Sequence, residues 1–280
     1  MGQRHARRWK GRLLAAAVIL VSLLVFDPLV MMAMVSLKTN LELTTAPFGL
    51  PREFQWQNYA DAFWGMDYPT AFRNSAVLTA ISAAGCTLLA AVGAYAIVRV
   101  THGRKLFVFF NAFFLLGLAL PQQVAMVPMV LWLQKLGLGG SLLGVCLVYI
   151  AANAAYGVFF FSGFVATVPI TLEEAAMIDG CGQIRAFFRI VFPMLKPITA
   201  TVAIINILGV FNDFTLPLIM LSSQSLKTLP LSFSVFYSSY LNEWQLIMSG
   251  LVLSIFPVLV FFLLMQRNIM DGLTAGALKG

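Results

Sequence analysis

Long apolar segments alternate with short polar ones along the whole chain. Six of the apolar segments are long enough to cross a bilayer, because a membrane-spanning helix needs about 20 apolar residues. The first follows a basic N-terminus but exceeds the roughly 7–15 apolar residues of a secretory signal, so we predict a retained span. The predicted spans are residues 13–35, 74–98, 106–133, 141–166, 198–221 and 244–266. This pattern predicts an all-α integral membrane protein with one transmembrane domain over residues 1–280.

The polar stretch at residues 171–193, between the fourth and fifth spans, has a helical pattern of its own. Thr171 and Glu174 have the spacing of a capping box, which predicts a helix beginning at Leu172. Gly180 is placed to end that helix, because glycine adopts the left-handed conformation of a helix end at little cost. A second helix is predicted after it, with one apolar face formed by Ile184, Phe187, Phe188 and Val191. The stretch therefore predicts a compact helix–turn–helix unit.

Composition and charge place the chain in a membrane and orient it there. Hydrophobic residues make up 60% and charged residues 10% of its 280 residues, whereas soluble proteins carry about a quarter charged residues. The net charge of +7 is spread among the apolar segments, so we interpret it as a topology signal and expect no nucleic-acid partner. With six spans, 13 of the 18 Lys and Arg residues fall on the side of both termini. Both termini and residues 171–193 are therefore predicted to be cytoplasmic.

Residue patterns of catalysis or metal binding are absent from the sequence. No G-x-x-x-x-G-K-[ST] segment occurs, so the chain does not bind nucleotide through a phosphate-binding loop. Its three cysteines have neither a disulfide framework nor metal-ligand spacing. We therefore expect no catalytic residues, no metal and no cofactor in this chain, and do not expect an enzyme.

Four polar residues lie at or near membrane depth in the predicted fourth and fifth spans. Such residues usually face a cavity or another helix, so they are candidates for a solute pathway, with helix–helix hydrogen bonding as the alternative. They are Asn153, Asn206, Asn212 and Asp213. Asp213 differs in being charged, and a place near the outer mouth with a cation or water as its partner is a second alternative.

The order Glu174-Ala175-Ala176, Asp179-Gly180, Ile190 and Pro193 resembles the EAA loop of ABC importer permeases. Phe192 and Cys181 depart from the usual Leu and Ala, but both remain apolar. In that family the loop is a coupling helix that docks on a separate ATP-hydrolysing subunit. The alternative is an amphipathic loop that only lies on the membrane.

The resemblance implies which residues couple the chain to an ATPase. They are Glu174, Ala175, Ala176, Asp179, Gly180, Arg185, Phe187, Phe188, Ile190 and Pro193. Glu174 would cap and anchor the first helix, and Gly180 would set the angle between the two helices. Phe187 and Phe188 would fill an apolar socket in the ATPase or pack on the spans of the chain itself, and the sequence does not decide between these.

Further segments are similar to carbohydrate-importer permeases of the maltose type. Phe211 to Leu218, followed by Lys227-Thr228-Leu229-Pro230, resembles their fifth-span region, and Gly272 to Gly280 resembles their C-terminal tail. The tail is implied to contact the ATPase, with Gly272, Gly276 and Lys279 as its candidate residues. Together these segments point to the second permease subunit of a carbohydrate importer.

The resemblance implies a multi-pass protein of a prokaryotic inner membrane, embedded in lipid. Its implied partners are a homologous permease, two ATP-binding cassette subunits that bind ATP and Mg, and an extracytoplasmic substrate-binding protein. A glycerophosphodiester, a polyol or another small solute is an alternative cargo. A secondary transporter would need ion-site residues and repeat symmetry, and a membrane enzyme would need a catalytic cluster, and neither pattern is visible.

Overall fold

The chain is helical throughout the part that its computed structural model describes. The backbone is described for residues 2–99, 104–119, 121–237 and 243–277, and the side chains within those ranges except 2–13, 104, 122 and 267–277. No strand occurs in these ranges, which confirms the prediction of an all-α membrane protein. The α-helices are α1 (Gly2–Ser36), α2 (Asn40–Thr45), α3 (Gln57–Gly65), α4 (Tyr68–Arg99), α5 (Arg104–Ala119), α6 (Gln122–Lys135), α7 (Leu142–Val165), α8 (Thr171–Ile178), α9 (Gln183–Ala186), α10 (Phe192–Met194), α11 (Lys196–Asn212), α12 (Thr215–Met220), α13 (Leu229–Ser232) and α14 (Trp244–Ala277).

Four helices within the described residues are long and apolar enough to cross a membrane. They are Leu14–Ser36, Tyr68–Arg99, Leu142–Val165 and Trp244–Gln266. The number becomes six if two bent helix pairs, Lys105–Ala119 with Gln123–Lys135 and Gln183–Met194 with Lys196–Asn212, each count as one span. The second pair bends by 80°, so the segment before Leu195 does not continue the direction of α11.

The chain divides into two compact units, of which the first comprises Met1–Asp67 and Phe233–Phe256. Its loop after α1 is held by buried polar contacts. The Lys38 ammonium is buried and donates to the carbonyls of Ala46 and Pro47 at 3.0 and 2.8 Å. Thr39 and Glu42 form a capping box at the start of α2. These contacts satisfy charged and backbone groups that would otherwise be costly to bury.

The second unit comprises Tyr68–Ser232 and Pro257–Gly280, and its core is the packing of α4 against α7 and α11. Small side chains on α4 let the neighbouring backbone come close. At Gly157 of α7, an added Cβ would lie 2.5 Å from the Cβ of Ala90, so only glycine fits there. The loop before α13 folds back onto α4, where the Asn74 amide donates to the carbonyls of Ser225 and Lys227 at 2.9 and 3.1 Å.

Two of the predicted spans are interrupted rather than continuous. The predicted span 106–133 consists of α5 and α6, and Pro121 directly precedes α6, where its missing N–H and fixed φ disfavour a continuous helix. The predicted span 198–221 consists of α11 and α12, with Asp213 in an extended conformation between them. Its carboxylate accepts a hydrogen bond from the N–H of Thr215 at 2.9 Å, a local contact that competes with helix continuation.

Candidate functional site

The first helix of the predicted coupling unit is α8, and its start differs from the prediction. The backbone is already helical at Ile170, whose carbonyl accepts from the N–H groups of Glu173 and Glu174 at 2.9 and 3.0 Å. Thr171 therefore lies inside the first turn, and no side-chain cap is present. The predicted capping box is wrong, and the side chain of Glu174 is exposed.

The end of α8 agrees with the prediction at Gly180. Its φ is +79°, the left-handed region that glycine tolerates best. The N–H of Gly180 donates to Met177 O at 3.0 Å, and that of Cys181 donates to Ala176 O at 2.9 Å. These two bonds form a Schellman motif, which satisfies carbonyls at the helix end and turns the chain sharply.

The second helix of the unit buries a different face from the predicted one. It begins as α9 and continues through a π-helical segment, Phe187–Val191, into α10. A π turn contains more residues than an α turn, so the spacing of 3.6 residues no longer predicts the buried face. Phe187 and Val191 are buried as predicted, but Ile184 and Phe188 are exposed. The predicted single apolar face is therefore wrong in part.

The other predicted coupling residues lie mostly on the surface of the helix pair. Ala176 and Ile190 are partly buried. The exposed ones are Glu174, Ala175, Asp179, Gly180, Arg185 and Pro193. Phe187 packs on the chain's own span, with its ring centroid 4.8 Å from that of Tyr95, whereas Phe188 remains 47% exposed.

A buried carboxylate joins α8 to the end of α4. Glu173 is only 2% exposed, and its Oε1 accepts from Arg99 Nε at 2.8 Å while its Oε2 accepts from the Tyr95 hydroxyl at 2.7 Å. The Arg99 guanidinium also donates to the carbonyl of Val168. Both carboxylate oxygens are thus satisfied by charge-assisted or hydroxyl hydrogen bonds, which permits burial.

Large apolar side chains are exposed on both sides of the turn at Gly180. Ile178 is 86% exposed and Ile184 is 77% exposed. Charged side chains in the same stretch are also exposed, among them Glu174 and Arg185. Exposed apolar side chains rimmed by polar ones mark surfaces that contact a protein or a membrane. We call Ile178 and Ile184 the docking residues.

A cavity of about 550 Å³ lies between α5, α6, α7, α11 and α12 of the second unit. It brings together all four polar residues that the sequence singled out, and it adds Gln123 and two tyrosines. Its polar and aromatic lining consists of Gln123, Tyr149, Asn153, Tyr156, Asn206, Asn212, Asp213 and Thr215. The interrupted helices border it on two sides, as is common where irregular backbone lines a cavity within a membrane protein.

Hydrogen bonds orient the polar side chains of this cavity. The Tyr149 hydroxyl donates to Asp213 Oδ2 at 2.8 Å, so a tyrosine and the Thr215 N–H are the partners of this carboxylate. The Asn206 and Asn212 amides each donate to the carbonyl four residues earlier in α11, at 2.9 Å. Asn212 therefore bonds its own helix, whereas Asn206 also hydrogen-bonds Cys86 of α4, which is the helix–helix bonding considered as the alternative.

Residues 88–274 match the family of binding-protein-dependent transport system inner membrane components. The chain belongs to this family. It is therefore a multi-pass permease component of a bacterial inner-membrane transport system that works with a binding protein, and not an enzyme.

Two relatives agree with this assignment, and a solved structure shares the fold. The permease is 34% identical over 280 residues to the "Probable starch degradation products transport system permease protein AmyC" of Thermoanaerobacterium thermosulfurigenes, covering 100% of both chains. It is 33% identical to the "Diacetylchitobiose uptake system permease protein NgcG" of Streptomyces coelicolor, covering 94% of this chain and 87% of the relative. It shares its fold with a chain of a bacterial ABC transporter that imports alginate, with a TM-score of 0.78, 20% identity and coverage of 94% and 97%.

Two groups of residues in this permease were missed by the sequence reasoning. Glu173 stands beside Glu174, and nothing in the sequence shows which of the two is buried. Tyr95 and Arg99 are four residues apart at the end of a span, which places them on one helix face and is a usable signal. Tyr149 and Tyr156 could not be distinguished from aromatic residues that face lipid or pack in the core.

The predicted ATPase-contacting tail of the permease is described only as backbone. Gly272 and Gly276 lie in α14, which continues to Ala277. Lys279 lies outside the described residues. The role of all three residues stays a prediction.

Proposed function

We propose that this permease forms half of the translocation pathway of an ATP-driven importer for a sugar or oligosaccharide. The observation that carries this proposal is the convergence of amides, a carboxylate and two tyrosines on one cavity. Sites for small molecules typically combine apolar and aromatic walls with a few placed polar groups, and these suit the hydroxyls and the apolar faces of a sugar ring. The relatives named for starch products and diacetylchitobiose support the same class of solute.

The charges around the cavity favour a neutral solute. Among the described residues that line it, Asp213 is the one carboxylate, and there is no Lys or Arg. An anionic solute such as a glycerophosphodiester would meet a negative charge without a compensating cation. A sugar instead offers hydroxyl donors to the carboxylate, and it accepts hydrogen bonds from amide and tyrosine donors.

Energy for transport comes from a partner in this proposal, because the chain lacks a phosphate-binding loop. Two ATP-binding cassette subunits bind ATP and Mg, and the unit from Thr171 to Pro193 docks on one of them. The exposed docking residues support this contact, since their burial in a partner removes apolar surface from water. The Schellman turn at Gly180 holds the two helices at a fixed angle, so the pair moves as one body when the ATPase moves.

The complete importer would contain a homologous permease and an extracytoplasmic binding protein as further partners. This chain takes the place of the second permease subunit, with both termini and the docking residues in the cytoplasm. The distribution of 13 of the 18 Lys and Arg residues supports that orientation. Membrane lipid surrounds the apolar spans, and no nucleic acid is involved.

Uptake by cavity variants tests the solute proposal. In the reconstituted importer, Tyr156→Ala and Asn153→Ala should each raise the KM for sugar uptake about tenfold, because each removes a contact with the solute worth about 1.4 kcal/mol. The matched control is Tyr237→Ala, since the Tyr237 side chain is 66% exposed and outside the cavity. An unchanged KM in both cavity variants, with the ATPase still co-purifying, would show that this subunit does not contact the solute here.

A further inference from the structure

We propose that Tyr95 and Arg99 are positioning residues that transmit movement of α8 to α4 through Glu173. The inference rests on the proposed function, because it needs the helix pair to receive force from an ATPase. It goes beyond that function by naming α4 as the span that first receives the force, and Glu173, Tyr95 and Arg99 as the side chains that connect α8 to it.

Glu173 is the one buried side chain of α8, so it is the main side-chain attachment of this helix to the rest of the second unit. Its two oxygens bind two different groups of α4, the Arg99 Nε at 2.8 Å and the Tyr95 hydroxyl at 2.7 Å. Arg99 also donates to the carbonyl of Val168, just before α8 begins. Two hydrogen bonds thus join α8 to α4, and a third joins α4 to the residue three positions before α8; the bonds that involve an ionised group are the stronger ones.

Tyr95 also contacts the second helix of the pair. Its ring lies 4.8 Å from that of Phe187, and both side chains are buried. The hydroxyl of one residue thus bonds α8 while its ring packs on the π-helical segment. Both halves of the coupling unit therefore act on the same turn of α4.

The packing around Tyr95 extends to helices that line the cavity. Tyr95 and Phe187 belong to one buried cluster with Val158 and Phe161 of α7 and Val202 of α11. Further along the same two helices lie cavity residues such as Asn153 and Asn206. Closely packed interiors transmit displacement with little compression, so a shift at Glu173 is expected to reach the cavity walls through α4.

Isosteric variants test this role with little disturbance of packing. Glu173→Gln removes the charge and Tyr95→Phe removes one hydroxyl, and the full importer carrying each variant is placed in proteoliposomes. The readout is solute taken up per ATP hydrolysed, measured in the same vesicles. We expect this ratio to fall about tenfold in Glu173→Gln, within the usual range of coupling between sites, and less in Tyr95→Phe. The control is Tyr237→Phe, a change at an exposed tyrosine.

A double-mutant cycle separates the proposed route from general loss of stability. If Tyr95 acts through Glu173, adding Tyr95→Phe to Glu173→Met, which leaves no oxygen acceptor for the Tyr95 hydroxyl, lowers the ratio no further, whereas independent effects multiply. Ratios within about twofold of wild type in both single variants, or multiplied losses in the double variant, would overturn the inference. If Glu173→Gln fails to assemble, Tyr95→Phe decides alone, because it removes a single hydroxyl. A ratio of solute to ATP within about twofold of wild type in that variant would overturn the inference.

Co-purification distinguishes failure of this inference from failure of the proposed function. If no ATPase subunit co-purifies with the wild-type permease, the coupling function itself is wrong. If the ATPase co-purifies and the variants keep the wild-type ratio, only the proposed role of Tyr95, Arg99 and Glu173 is wrong. The expected result is retained ATPase with a lowered ratio.

Discussion

Gly180→Pro should abolish solute uptake while leaving the permease inserted in the membrane. The φ of Gly180 is +79°, whereas proline is fixed near −65°, and proline also lacks the N–H that donates to Met177 O. The Schellman turn cannot form, so the angle between α8 and α9 changes and the ATPase is released or uncoupled. Uptake into vesicles and membrane content by immunoblot measure the two parts of this prediction.

The same substitution two residues later provides the matched control. Gly182 has a φ of −68°, which proline adopts without strain, and no atom lies within 4 Å of a Cβ built there. Gly182→Pro should therefore keep most of the uptake.

Gly180→Asn should show a smaller loss than Gly180→Pro, because asparagine tolerates a left-handed backbone. Full uptake by Gly180→Pro would contradict the idea that this turn transmits force.

Charge placed on the docking residues should release the ATPase. In Ile178→Asp or Ile184→Asp, a carboxylate would have to be buried against the partner without a cation prepared for it. The few residues that dominate an interface contribute about 2 kcal/mol or more, and with Ile178 and Ile184 in that role we expect at least about a 30-fold loss of affinity from each substitution. Quantitative co-purification in mild detergent measures the loss.

Leu50→Asp is the control for those two variants. Leu50 is 80% exposed, comparable with the docking residues, but it lies in the loop after α2, on the predicted extracytoplasmic side. ATPase recovery should stay at the wild-type level in this variant. Equal losses in all three variants would indicate general destabilisation instead of a docking surface.

The membrane character and the turn at Gly180 were predictable because each depends on local physics. Long apolar runs require a bilayer whatever the fold, and a helix that must end sharply requires a residue that tolerates positive φ. The π-helical segment was not predictable, since the sequence pattern was interpreted with a period of 3.6 residues, whereas Phe187 and Val191 both belong to the buried cluster. The capping box does not form because the backbone is already helical at Ile170, which places Thr171 inside the first turn. The sequence from Thr171 onward does not reveal this.

The cavity was predictable only in part. The sequence identified polar residues at membrane depth, and the structure places all four around one cavity. The helix breaks at Pro121 and Asp213, which border the cavity, were not predictable from the sequence. A proline or an aspartate in an apolar run is compatible with a kink or a break, and tertiary packing selects between them.

Site-specific photocrosslinking from position 184 tests the central claim most directly. A photoreactive phenylalanine analogue replaces Ile184 in the assembled, transport-competent importer, and the same analogue at Leu50 serves as the control. We predict a covalent product with the ATP-binding cassette subunit from position 184 and none from position 50. Products from position 184 that contain only lipid or the extracytoplasmic binding protein, in an importer that still transports, would contradict it.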